Sequence, residues 1–192
     1  MKNLGIIYHS AHGHTAHFAA NVAKGARSAS NVKVSEISVA NIDTPEMLTG
    51  FDGLILGSPT YLGGVSAPFK AFMDSTGGLW RKQSLRGRLA GGFTVSSLPS
   101  GDKLSTLTSM FIFSMQHGMM WMGNPFLPGT LDGEHPEHAI NRLGSWTGAM
   151  AQAKHGTPPE QAFVQGDLLG AELFGRNFAQ ALGAHCLRRQ AA

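Results

Sequence analysis

Residues 4 to 15 read LGIIYHSAHGHT, and the change of pattern within this stretch decides the fold. Leu4 to Tyr8 is a continuous apolar run, the pattern of a strand buried on both faces. From His14 the period becomes helical, with Phe18, Ala19, Val22 and Ala26 on one face. A loop between a buried strand and a helix N-terminus offers unpaired N–H groups and the positive end of the helix dipole, which suits a phosphate. Ser10 and Thr15 add hydroxyl donors, His14 adds an N–H, and Gly13 permits a tight turn. The neighbouring histidines His9, His12, His14 and His17 span a strand end, a turn and a helix start. Their side chains diverge there and no Cys, Asp or Glu stands among them, so a metal site is not expected.

Working outward, the strand pattern recurs at Val32–Ile37, Gly53–Leu56, Leu89–Val95 and Met119–Met122. The third strand is read as stopping at GSPTYLGG, residues 57–64, with Ser66 capping the helix that carries Phe69, Phe72 and Met73. The fourth ends in SSLPSGD, residues 96–102, before a helix marked by Leu104, Leu107, Phe111 and Met115. Residues 123–146 lack periodicity, and a connection of that length is expected to have a functional or interface reason. Thr157-Pro158-Pro159-Glu160 has the form of a capping box opening a last helix through Val164, Leu168, Ala171, Phe174, Phe178 and Leu182. Alternating strands and helices predict one α/β domain over residues 1–192. Its five-stranded parallel sheet has helices on both faces, and the strands fit the flavodoxin-like order 2-1-3-4-5. Such sheets bind ligands beyond the carboxyl ends of their strands, where the loops 9–15, 58–64 and 96–102 converge.

Composition narrows the function. The chain has 192 residues, 42% hydrophobic and only 14% charged, with a net charge of +3 from scattered basic residues. Arg188-Arg189 near the C-terminus is a pair and not an extended basic cluster, so nucleic acid is not an expected partner. The apolar run at the N-terminus is too short for a signal peptide or a membrane span, and the single cysteine, Cys186, fits a reducing compartment; a cytoplasmic protein is expected. Neither a Walker loop nor a Gly-x-Gly-x-x-Gly fingerprint is present, and Gly-x-Ser-x-Gly and His-Glu-x-x-His are also missing. Asp74 and Asp102 read as helix-surface charges.

Three stretches resemble one family. SAHGHT, residues 10–15, is similar to the phosphate loop of flavodoxin-like proteins. GSPTYLGGVSAPFKAFMDSTGGLW, residues 57–80, is closely similar to the central motif of WrbA-type NAD(P)H:quinone oxidoreductases, and QHGMMWMG, residues 116–123, resembles their His-Gly segment. The resemblance implies non-covalent FMN, NAD(P)H as a transient co-substrate, a quinone as acceptor and a homotetramer with sites where subunits meet. It implies ping-pong hydride transfer through flavin N5, with Ser10, Gly13, His14 and Thr15 on the FMN phosphate. Pro59, Thr60, Tyr61, Leu62 and Gly63 would run beside the isoalloxazine, and Ser96, Ser97 and Gly101 would form the third loop. His117 would lie close to the ring as a hydrogen-bond or proton donor to the quinone, and Trp80 would line the substrate pocket. The residue pattern alone equally allows His117 to close its helix and Trp80 to serve as packing. Two departures stand out: Tyr61-Leu62 replaces the family's usual arginine and aromatic, and the third loop has less Gly and Thr. A flavodoxin-type electron carrier and a non-catalytic flavin-binding oligomer are the alternatives, the former disfavoured by the basic balance of the chain.

Overall fold

Leu4, Ile6 and Ile7 are completely buried because β1 (Lys2–Tyr8) is an interior strand, parallel to β2 (Val32–Ser38) on one side and β3 (Gly53–Tyr61) on the other. The structure, a computed structural model, describes residues 1–185; Cys186, Arg188 and Arg189 lie outside the described residues. β3 continues past the expected stop at Gly57 and pairs with β5 (Leu89–Ser96) as far as Pro59 opposite Val95. The hydroxyls that make Ser58 and Thr60 look like loop residues are bonded internally, which is why the strand can run on. Ser58 Oγ accepts from Ser66 N at 3.0 Å, and Thr60 Oγ1 lies 2.7 Å from Thr94 Oγ1 and 2.8 Å from Thr106 Oγ1. At its end β3 turns sharply into β4 (Gly64–Val65) through Leu62 and Gly63, both with positive φ, as a two-residue hairpin of the primed kind demands.

The helices divide between two apolar clusters, one on each face of the sheet. α1 (His14–Arg27) and α5 (Gln165–Ala184) cover one face, packing Phe18, Val22, Phe174 and Phe178 over Leu4 and Ile6. α2 (Ala67–Ser75), α3 (Gly77–Arg81) and α4 (Lys103–Gln116) cover the other, with Phe69, Phe72, Leu79 and Met110 over Ile7 and Leu56. α1 and α5 meet backbone to backbone. A Cβ on Gly25 would lie 1.8 Å from Glu172 O, and one on Gly175 would lie 1.9 Å from Val22 O, so neither helix admits a side chain there.

The sheet runs β2-β1-β3-β5-β6, which is the expected order with its last place divided. The expected fifth strand is only β6 (Met120–Trp121), beside the first half of β5; β7 (Ala149–Gln152) takes the place beside the second half. With the β4 hairpin, seven strands therefore stand where five were expected. The aperiodic segment is an excursion between two pieces of one strand position. Its base closes where Asn124 N donates to Trp146 O at 2.9 Å and Asn124 Nδ2 to Ser145 O at 3.1 Å. Its Arg142 grips the buried Asp167 through Nε–Oδ1 at 2.8 Å and Nη2–Oδ2 at 2.9 Å, and Asp167 also accepts from Gln152 N. That carboxylate sits in the first turn of α5, where the helix dipole favours it.

Two caps differ from expectation. The Ser66 side chain does not cap α2, because its hydroxyl is taken by His9 Nδ1 at 2.8 Å. The Thr157 box opens only a short 3-10 turn, Pro159–Gln161, and α5 begins later, at Gln165. No helix among the described residues is long and apolar enough to cross a membrane.

Candidate functional site

At the carboxyl ends of β1, β3, β5 and β7 lies a cavity of about 600 Å³, within the usual size of small-molecule sites. Its floor at one end is the turn from β1 into α1. Gly13 precedes the helix with φ 85°, and a Cβ there would come within 2.7 Å of Pro159 Cγ. Glycine is therefore required twice, by conformation and by space. Thr15 is buried in the first turn of α1, and the Ser10 hydroxyl is buried in the loop before it. Ser10 Oγ has no hydrogen-bond partner among the described residues. A buried hydroxyl without a partner is unfavourable, and an anion at the N-terminus of α1 would satisfy it together with the free amides of that helix end.

The histidines go separate ways. His9 bonds Ser66, His14 places Nε2 2.8 Å from Thr157 O, His17 stacks on the Phe163 ring at 5.8 Å, and His12 lines the cavity. Burial lowers the His9 pKa, so its ring is neutral near pH 7. Among the described residues no group of three or more His, Cys, Asp or Glu is placed to hold a metal ion.

Pro59, Thr60 and Tyr61 form the second wall, with the Thr60 hydroxyl turned into the Thr94–Thr106 network beneath. Val95, Ser96 and Ser97 form the third. This loop is held from behind by Lys103 Nζ, which donates to Ser96 Oγ at 2.9 Å, Leu98 O at 2.6 Å and Pro99 O at 2.9 Å. It is held from the side by Gln152 Nε2, donating to Ser97 O at 3.1 Å. The fourth wall, Ala153 to Pro159, is one the sequence reading did not find. It leaves β7 and brings Lys154, His155 and Thr157 to the cavity beside the α1 turn. Its composition, AKHGTPPE over residues 153–160, carries the same Gly, Thr and Pro signal as the other loops, but β7 was not recognised before it.

The structure thus gathers Ser10, His14, Thr15, Pro59, Thr60, Tyr61, Ser96 and Ser97 around one space. Gly13 and Gly63 shape the loops, and Gly101, also at positive φ, packs where a Cβ would meet Ser96 Oγ. Leu62 is fully exposed at the hairpin tip. Trp80 and His117 are not brought to this cavity. They line a separate groove of about 1050 Å³ between α2, α3 and α4, which reaches the third loop at Ser100 and Asp102. His117 is buried there, with Nε2 3.0 Å from Thr76 Oγ1, the ring against Phe113, and Nδ1 without a partner among the described residues. Burial lowers its pKa, so it is neutral at pH 7. Trp80 is half exposed.

A strand-to-helix turn after β1 and a cavity walled by the ends of β3, β5 and β7 define a site type. Residues 1–130 match the family described as NADPH-dependent FMN reductase. The chain belongs to that family. A protein of Archaeoglobus fulgidus named NAD(P)H dehydrogenase (quinone) is 32% identical over 97% of this chain and 100% of its own length. The flavodoxin FldP of Pseudomonas aeruginosa is 32% identical over 94% of this chain and 96% of its own. The solved structure of the flavodoxin, WrbA-like protein from Agrobacterium tumefaciens superposes with TM-score 0.73 at 29% identity, covering 97% of this chain and all of the other.

The isolated hydroxyl gives the family site a specific test. Replacing Ser10 with Ala should weaken FMN binding about tenfold, the scale of one hydrogen bond to a charged group, while the apo protein melts no lower than wild type. Calorimetry of FMN binding beside thermal denaturation of the apo chain checks both halves. Unchanged affinity would show that this hydroxyl does not meet the ligand.

Proposed function

We propose that this chain is a WrbA-type FMN-dependent oxidoreductase that takes electrons from NAD(P)H and passes two of them to a quinone. The observation that carries the reading is the buried, unpartnered Ser10 hydroxyl at the N-terminus of α1, at one end of a cavity of cofactor size. FMN, when bound, supplies the hydride chemistry. The chain supplies binding and orientation. Ser10, Gly13, Thr15 and the backbone amide of His14, whose ring Nε2 is given to Thr157 O, hold the phosphate; Pro59 to Gly63 lie along the ring system, and Ser96, Ser97 and Gly101 close the third side. Donor and acceptor take turns in the same space, giving ping-pong behaviour, so no side chain need act as nucleophile.

Trp80 and His117 fit this reading as contributions across a subunit interface. Their groove exposes Trp80, Leu104 and Ile112 together, an apolar surface that a second copy would cover. We propose a homotetramer in which Trp80 borders a neighbour's substrate space, with His117 behind it as a neutral hydrogen-bonding group. Light scattering should return the mass of four chains, and Trp80→Ala should lower kcat/KM for quinone about tenfold. A fully active monomer would remove the subunit role.

The likeness to FldP favours one second reading, an electron carrier. Anaerobic titration of the FMN-loaded chain with NADH and then NADPH separates the two. The enzyme reading predicts loss of the visible flavin absorption at one equivalent of one or both donors, and reoxidation by added quinone. Flavin that neither donor bleaches would point to the carrier or to a binding protein.

A further inference from the structure

Lys103 is the only lysine buried among the described residues, at 1% exposure. It stands in the first turn of α4, an end of the helix where the dipole disfavours a cation. Its ammonium is kept there by the third loop: three donors meet Ser96 Oγ, Leu98 O and Pro99 O, and Ser96 Oγ also donates to Leu98 O at 3.1 Å. The charged groups acting on it are Asp167, which favours its charge, and Arg142, which opposes it. Those two are paired bidentately with each other, so their effects on Lys103 largely offset. The positive charge of Lys103 is left without a carboxylate of its own, one hydrogen bond behind Ser96 in the cavity wall.

We propose that Lys103 is a positioning residue for the cofactor: it locks the 96–101 loop in its binding shape and supplies the site with a buried positive charge that favours the reduced, more negative flavin. The proposal rests on the FMN reading above. At an effective dielectric of about 20, a unit charge on the order of 10 Å away changes an equilibrium constant about tenfold. Burial pushes the Lys103 ammonium down to about 8, so the charge is present at neutral pH and is lost above it. The sign for stability is opposite to that for binding. Between about pH 8 and the ordinary lysine range the unfolded chain holds a proton that the folded chain has released. The apo protein therefore gains stability as pH rises through that window, while its hold on FMN weakens.

The test compares wild type with Lys103→Met and Lys103→Arg in three measurements. Amide hydrogen exchange on the apo chains reads the loop, FMN affinity from pH 7 to 9.5 reads the charge, and the two-electron reduction potential reads the preference for reduced flavin. Lys103→Met should speed exchange at Ser97, Leu98, Ser100 and Gly101 and weaken FMN about tenfold at pH 7. It should also lower the potential by ~30 mV, the equivalent of a tenfold selective loss of the reduced form. Lys103→Arg, which keeps the charge, should retain most of the potential, and its affinity should not fall between pH 8 and 9.5 as that of wild type does. The wild-type pH profile needs no variant to fold. If wild type binds FMN with a flat profile and Lys103→Met matches it in loop exchange, affinity and potential, this proposal fails alone. If wild-type apo chain takes up no FMN, the cofactor reading fails and the flavin role of Lys103 fails with it.

Discussion

The arrangement of the whole site depends on the contact between α1 and α5 at Gly25 and Gly175. Because neither helix carries a side chain there, their backbones approach until a Cβ would meet a carbonyl oxygen. That contact sets where α1 lies on the sheet, and so where its N-terminus points. It also sets the path of the chain before α5, since Phe163 packs on Phe18 and stacks with His17 while the preceding segment returns over the α1 turn. The turn at Gly13 and the ring of Pro159 are then in contact, and His14 bonds Thr157 across the same seam. One packing constraint therefore builds both the β1–α1 turn and the wall beside it.

The rest of the site is made rigid by polar groups that never reach the ligand space. The Thr60–Thr94–Thr106 hydroxyls tie β3, β5 and α4 together under the second loop, and His9–Ser66–Ser58 ties the hairpin to β1. Arg142 and Asp167 fasten the 123–148 excursion to α5, with Gln152 carrying the hold on to Ser97. The hydroxyl network is buried, the others are half-buried except for the exposed Gln152–Ser97 bond, and all are paired, which is the condition under which polar groups specify a single arrangement. The cavity wall is largely apolar, from Pro59, Val95, Pro158 and Pro159, and its polar groups are hydroxyls, backbone, histidines and Lys154, with no carboxylate among its lining residues. Such a lining suits an anionic cofactor that brings its own chemistry.

Much of this was legible in the sequence. The strands β1, β3 and β5 read clearly because an interior parallel strand is apolar on both faces, and the change of period at His14 marked the start of α1. Three features were not legible, each for a physical reason. Gly57 to Tyr61 reads as a turn by residue type, and only partners distant in sequence, Thr94 and Thr106, make those hydroxyls acceptable in a strand. β7, with the sequence AMAQ, is short and weakly apolar, and its claim to be a strand comes from pairing with β5 across a long excursion. The Thr157–Glu160 pattern satisfies the local rule for a helix start, yet the segment is held instead by tertiary contacts with His14 and Gly13. Lys103 was passed over because a lysine at a helix start reads as surface, and only the fold of the third loop buries it.

The central claim is that the β1–α1 turn is a phosphate cradle, and the most direct measurement compares FMN with riboflavin, which differs only in the phosphate, by calorimetry on the apo chain. The account predicts that FMN binds at least ~100-fold more tightly, the combined scale of a few charge-assisted hydrogen bonds at a helix N-terminus. Equal affinity for the two flavins, or no uptake of either, would contradict it.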